Sequence, residues 1–303
     1  MIVVVGEALV DVVVDPDGSS TESVGGSPLN VAVGLGRLGS EAVLLTAVGD
    51  DERGRRVVEH VTGSGARILA STSATGRTSV ATATVDPAGI ASYDFDLEWD
   101  LPRQELPVGQ ALHVGSLGTV LEPGRGSVVD LTEQARARDL FVSYDVNLRD
   151  SFVQDAVGTY RDVRALGARC TLVKLSDEDA ELLDPAVDPD EVARTLLDGQ
   201  RTDLVILTRG ASGATAFTSG ATADARPRPV EVVDTVGAGD AFMAAVLAQL
   251  DELGAFDRPD RLPRDRAALE RLLRGAVEVA AITCERRGAD PPRRQELPPS
   301  WPS

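Results

Sequence analysis

The 303-residue chain holds one lysine, Lys174, and two histidines, His60 and His113. Chemistry that needs several histidine ligands, or a lysine base beside a lysine phosphate clamp, is therefore excluded. No G-x-x-x-x-G-K-[ST] phosphate loop is present, which removes the P-loop nucleotidases. Two cysteines, Cys170 and Cys284, make neither a disulfide framework nor a zinc site, and this scarcity fits a reducing cytoplasm. No run of eighteen or more apolar residues occurs, so no membrane-spanning helix is expected. The opening MIVVVGEALVDVVVD lacks a basic leader and carries Glu7 and Asp11, so it reads as a first buried strand rather than a signal peptide. Basic residues are in deficit, 30 against 48 acidic, for a net charge of −18. That balance favours solubility and argues against nucleic-acid or anionic-membrane partners, which need basic patches. General-base work must fall to Asp or Glu, and anion binding to Arg, backbone N–H groups or a metal.

What is present is an alternating α/β chain, 43% hydrophobic and long enough for a substantial core. Strands are expected at 2–6, 42–49, 111–116, 141–147, 171–176, 203–210 and 214–219. Helices are expected near 28–38, 51–63, 123–138, 177–183, 190–199, 237–250 and 265–284. Continuous apolar strands between helices predict a mostly parallel, doubly wound sheet with helices on both faces. TSVATATV (78–85) and IASYDFD (90–96) instead alternate around Asp-Pro-Ala-Gly, the pattern of a hairpin with one open face. With residues 10–24 this predicts a small separate sheet. No linker or internal repeat divides the chain. The proline-rich tail, 290–303, is expected to run irregularly over the surface.

Polar residues and glycines gather after the strands: Gly6-Glu7, Gly115-Ser116, Asp145-Asn147-Arg149, Ser176-Asp179 and Thr208-Gly210. In an open α/β sheet those strand ends line the ligand crevice. GLGRLG (34–39) matches a dinucleotide fingerprint, but that motif works only where a strand gives way to a helix. Here Ser27 reads as an N-cap and Pro28 as the first helical residue, so these glycines fall late in a helix and a dehydrogenase is rejected.

DTVGAGDAF (234–242) leads into an apolar helix. VEVVDT (230–235) before it reads as a strand. A buried helix start leaves N–H groups without internal acceptors. At Gly237, Ala238 and Gly239 no bulky side chain obstructs them, so they can converge on an anion such as a phosphoryl group. Asp240 stands one residue beyond, placed either to take a proton from an attacking hydroxyl or to offset the helix dipole.

DTVGAGDAF, GGSPLNVAVGLGRLG (25–39), AVGDDERGRRV (47–57), SYDVNLR (143–149), VKLSDED (173–179) and LTRGASGA (207–214) together resemble the ribokinase family of sugar kinases, the phosphofructokinase-B type. The likeness covers nearly the whole chain and keeps the family's order of blocks. It implies one ribokinase-like kinase domain over 1–303, with a β-sheet lid inserted at about 10–24 and 76–104. It also implies transfer of the γ-phosphoryl group of ATP, with Mg2+, to a sugar hydroxyl. Asp240 would be the base, with Gly237, Ala238 and Gly239 forming the anion hole. Asp11 and Asn30 would bind sugar hydroxyls, with Gly25 and Gly26 admitting the ring. Lys174, Ser176, Thr208, Gly210 and Gly213 would line the nucleotide side. The family's Asn-x-x-Glu block, thought to organise water around magnesium, is here Ser176 and Asp179. Asp179 is thus the candidate metal residue, acting through water.

Within the family, GEALVD, GGSPLN and DVNLR are most similar to fructokinases, which makes fructose the expected sugar. Arg149 keeps a 2-keto-3-deoxygluconate kinase open as the alternative, because an arginine suits a substrate carboxylate. Tyr93, Phe95 and Trp99 are candidate walls for a sugar face, although lid or dimer packing is the simpler role for Trp99. The lid also implies a homodimer. A non-catalytic sugar binder on the same fold would lack the acid at position 240, which this chain retains.

Overall fold

The structure is a computed structural model and describes residues 1–86, 91–197 and 201–302. In chain order its elements are β1 (Ile2–Val5), β2 (Leu9–Val14), β3 (Ser20–Gly25), α1 (Ser27–Leu38), β4 (Ala42–Val48), α2 (Glu52–Ser64), β5 (Arg67–Thr72), β6 (Ser79–Val85), β7 (Ala91–Asp96), β8 (Ala111–Gly115) and α3 (Gly124–Ala137). There follow β9 (Phe141–Asp145), α4 (Ala156–Gly167), β10 (Leu172–Ser176), α5 (Asp177–Leu183), α6 (Pro189–Leu197), β11 (Leu204–Thr208), β12 (Ala214–Phe217), β13 (Thr222–Ala225), α7 (Ala238–Glu252) and α8 (Arg266–Cys284). Among the described residues no helix is long and apolar enough to cross a membrane.

Nine strands form the main sheet in the order β13-β12-β11-β10-β9-β8-β1-β4-β5. All pairs are parallel except β11–β12 and β12–β13. Its central strands are buried on both faces, as the unbroken valine and leucine runs require. Alternate residues feed two cores. Ile2, Val4, Leu172 and Ile206 meet α1, α7 and α8 on one face. Val3, Val5, Tyr144 and Val173 meet α3, α4, α5 and α6 on the other. The strand order reverses at β1, which lies between β4 and β8, and that is where such a sheet opens a crevice.

The second sheet has the order β3-β2-β6-β7, with β2–β6 parallel and the outer pairs antiparallel. Most of the turn expected at 86–89 lies outside the described residues. The small sheet is tied to the body through Asp51, which caps α2 by accepting from the Gly54 N–H. The same carboxylate accepts from the Thr78 N–H and hydroxyl at 2.9 and 2.7 Å, just before β6 begins. After β7 the chain rejoins the body. Trp99 is 3% exposed, belongs to the second core and donates from its indole N–H to the Gly118 carbonyl at 3.0 Å. It is therefore core rather than a sugar wall.

Helix α1 spans 27–38, so the look-alike fingerprint lies inside it, and Gly39 closes it in the left-handed region at φ 92°. Gly34 serves packing. A Cβ there would come within 2.6 Å of the Ala244 Cβ on α7.

Four expectations are corrected. Residues 230–235 form no strand, and Val232 and Val233 are nearly 60% exposed, so their β-branched composition reflects no sheet partner. Ser27 is not the cap. Gly26 holds the N-cap position at φ 108°, and no side chain caps the helix. The tail is irregular yet buries Leu297 and Trp301, whose indole N–H donates to the Gly275 carbonyl. Strands β5 and β13 and helix α4 were not anticipated.

Candidate active site

Two helices begin at the crevice. Helix α7 starts after Gly237, which adopts the left-handed conformation at φ 74° with no side-chain cap. A Cβ at 237 would come within 2.8 Å of the Ala289 Cα, so glycine is needed for both conformation and space. The Ala238 N–H closes a turn on the Thr235 carbonyl at 3.2 Å. Gly239 and Asp240 carry the next N–H groups, in the turn where an α-helix offers no internal acceptor. Asp234 braces the loop, accepting from the Val236 N–H at 3.0 Å and the Gly288 N–H at 2.8 Å.

Asp240 is 8% exposed and does not cap its own helix. Both its oxygens face α1. The Ser27 hydroxyl donates to Oδ1 at 2.6 Å, and Asn30 Nδ2 donates to Oδ2 at 2.8 Å. The Asn30 Oδ1 is buried with no protein partner, an unmet acceptor. Ser27 is a site residue that the sequence reading assigned to another task.

Asp11 enters from the small sheet, opposite Ser23 in register. Burial raises its carboxyl above the usual range, Arg149 lowers it, and the charge of Asp240 raises it again. That coupling sets the carboxylate of the small sheet and the α7 carboxylate near each other. Gly25 lies against Asp11, where any Cβ would overlap Oδ2. Gly26 packs on the Glu7 carbonyl, which a Cβ would approach to 2.6 Å. Arg149 gives Nη1 to Asn147 Oδ1 at 2.8 Å and to the Leu148 carbonyl at 3.2 Å. Phe95, reaching over from β7, meets the Phe152 ring edge-on at 5.2 Å. Of the Tyr93 side chain nothing is described.

On the other side of Asp240, Lys174 and Asp145 form a buried ion pair, with Nζ 2.8 and 2.9 Å from the two oxygens. The pair follows from register, since residue 174 on β10 lies beside 145 on β9. Burial, with Asp179 and Asp240 nearby, pushes Asp145 up to about 6 against the pull of Lys174. For Lys174 burial works against the ammonium, but Asp145, Asp179 and Asp240 together raise it above its ordinary value. Its Nζ lies 3.7 Å from where a Cβ on Gly239 would be, at the mouth of α7. Beneath the pair, His113 Nδ1 meets Ser143 Oγ at 3.0 Å. Burial and then Lys174 drive that imidazole down to about 3, so it is neutral.

Ser176 caps α5 in a capping box with Asp179. Asp179 Oδ2 accepts from the Ser176 N–H and hydroxyl, and Oδ1 accepts from the Leu148 N–H at 2.7 Å. Its carboxylate therefore organises the β9 and β10 strand ends. Among the described residues no group of three or more His, Cys, Asp or Glu could hold a metal ion. Thr208 ends β11 and donates to the Leu175 carbonyl at 3.4 Å. Gly210 (φ 46°) and Gly213 (φ 96°) turn the chain into β12.

A carboxylate in the first turn of a buried helix, a buried ammonium beside that helix start, and a second carboxylate from the small sheet fit a phosphotransferase acting on a sugar hydroxyl. Residues 1–296 match the pfkB family carbohydrate kinases, and the chain belongs to that family. It is 34% identical over 301 residues to a fructokinase of Klebsiella pneumoniae, and 32% over 300 to one of Salmonella typhimurium. Each match covers 94% of both chains. Its fold matches the crystal structure of a fructokinase with bound ATP from Xylella fastidiosa at a TM-score of 0.81. That match covers 98% of this chain and 94% of the other at 24% identity.

Proposed function

We propose that the protein is an ATP-dependent fructokinase in which Asp240 takes the proton from the attacking hydroxyl. The observation that carries this is the double anchoring of Asp240 by Ser27 and Asn30, which aims a carboxylate into the pocket it shares with Asp11. Asp11 and the unmet Asn30 Oδ1 would orient the sugar through its hydroxyls, with Gly25 and Gly26 leaving room for the ring. The N–H groups of the Gly237, Ala238 and Gly239 turn, aided by the helix dipole, would receive the charge of the phosphoryl group in flight. Lys174 would steady the terminal phosphate. Ser176, Thr208, Gly210 and Gly213 would border the nucleotide, and the exposed Val232 and Val233 would offer its base an apolar wall. Mg2+ would arrive on the ATP phosphates and offset their charge, since the donor set forms no cage and Asp179 could reach it only through water.

Charge favours a neutral ketose over a keto-acid. Glu7, Asp11 and Asp240 outnumber the cations that bear on them: Arg149, whose Nη1 is already bonded within its own loop, and Lys174, which is paired with Asp145. A substrate carboxylate would meet net repulsion there. Turnover of ATP with fructose, 2-keto-3-deoxygluconate, ribose, glucose, adenosine and fructose 6-phosphate tests this. The expected kcat/KM for fructose exceeds that for the acid by at least about tenfold, about 1.4 kcal/mol. The reverse order would give Arg149 a substrate carboxylate to bind.

Gly25→Ala should push Asp11 aside and raise the fructose KM by about tenfold, with kcat and the ATP KM nearly unchanged, as loss of uniform binding requires. Steady-state kinetics with each substrate varied checks this. Two further readings belong here: a cytoplasmic location, consistent with two free cysteines, and a homodimer formed through the lid sheet, which solution mass would decide.

A further inference from the structure

Glu7 is a carboxylate that the chemistry above leaves unused, and it is 6% exposed. Three segments converge on it. The Gly118 N–H donates to Oε2 at 2.8 Å, and a Cβ at 118 would lie 3.0 Å from the Gly6 Cα. Ser116 and the Glu7 N–H also favour the ionised carboxylate, and the Arg149 charge bears on it. The Glu7 carbonyl supports Gly26 at the sugar turn.

Ser116 needs such support. Its φ is 53°, a left-handed conformation that costs a serine free energy and persists only where the surroundings hold it. Thr119 adds a second tie, donating to the Ser116 carbonyl at 2.8 Å. Glu7 thus holds the strained turn through its carboxylate, on which the Arg149 charge also bears, and meets the sugar turn through its backbone carbonyl.

We infer that Glu7 is a positioning residue for the sugar, anchoring the 116–119 turn and balancing Arg149 so that the substrate pocket keeps its shape. The inference rests on the sugar-kinase reading. Burial raises the Glu7 carboxyl to about 7, against its own N–H, Gly118, Ser116 and Arg149. The anchor therefore ionises near neutrality. Arg149 is the charged group that bears on it. Asp11 on β2 is the other carboxylate on which Arg149 bears, and burial raises its carboxyl too.

The sign follows. Above about pH 7 the carboxylate accepts all its donors and offsets Arg149; below it, protonation removes an acceptor and the offset. The wild-type sugar KM should fall as pH rises through about 7 and then level off. Glu7→Gln should keep its thermal midpoint and ATP KM, raise the sugar KM about tenfold at pH 8, and show no pH step there. A sugar KM and pH profile equal to wild type would overturn the inference, as would equal losses in kcat and in both KM values. If E7Q fails to fold, Ser116→Ala removes one donor and is read the same way: a raised sugar KM at pH 8 supports the anchor, an unchanged one ends it. Wild-type turnover on fructose is measured first. Its absence fails the substrate reading alone, and the variants are then assayed on whichever sugar is turned over.

Discussion

Asp240→Asn is expected to lower kcat by about two to four orders of magnitude while fructose and ATP still bind. The substitution is nearly isosteric, and the pocket can accept it. Asn30 Nδ2 still finds an amide oxygen, and the Ser27 hydroxyl, which now donates at 2.6 Å, can accept from the new amide instead. What is lost is the group that takes the proton. The expected deficit corresponds to about 3–5 kcal/mol of transition-state stabilisation. Single-turnover kinetics with equilibrium binding separates the two effects. Wild-type turnover in this variant would end the general-base assignment.

Lys174→Met is expected to cost both stability and rate. Lys174 and Asp145 are 4% and 1% exposed. Removing the ammonium strands a buried carboxylate, which typically destabilises by about 3–5 kcal/mol. Denaturant midpoints measure that loss. Lys174→Met with Asp145→Asn removes both charges and should recover most of the stability, because a neutral pair carries a smaller desolvation penalty. Turnover should not recover, since no cation then stands at the mouth of α7. A double variant as active as wild type would leave Lys174 a structural role only.

The parallel strands were legible because β1, β4, β8, β9, β10 and β11 are short, mostly apolar runs, buried along nearly their whole length. Edge elements were not. Strand β5, RILAST, is mostly exposed and mixes Arg and Ser into its run. Strand β13 is four residues of Thr, Ala and Asp, weak strand formers apart from Thr. Helix α4 carries Gly158 and Gly167 and only three buried positions. VEVVDT misled in the opposite sense, since its valines are exposed in an irregular segment.

At the site, chemistry-bearing residues such as Asp240, Asp11, Asn30 and Lys174 stood out by type and block. Their partnerships did not, because Asn30 and Asp240 are 210 positions apart. Ser27 shows the limit best. A serine before proline at a helix start is a sound cap on local grounds. The Gly26 turn instead leaves its hydroxyl for Asp240, a partner only the tertiary fold supplies.

Gly34, the first glycine of a motif that reads as a nucleotide signature and is none, meets Ala244 across the α1–α7 contact. Asn30 and Gly34 are one helical turn apart, as are Asp240 and Ala244, so about 6 Å separates the hydrogen bond from the contact beneath it. The two helices are thus gauged against each other by a pair of small residues one turn away from the Asn30–Asp240 hydrogen bond. Drift at either position would be felt as misalignment of the reacting groups before it was felt as a loosened core. A side chain added at Gly34 would thus press on α7 one turn away from the Asn30–Asp240 hydrogen bond.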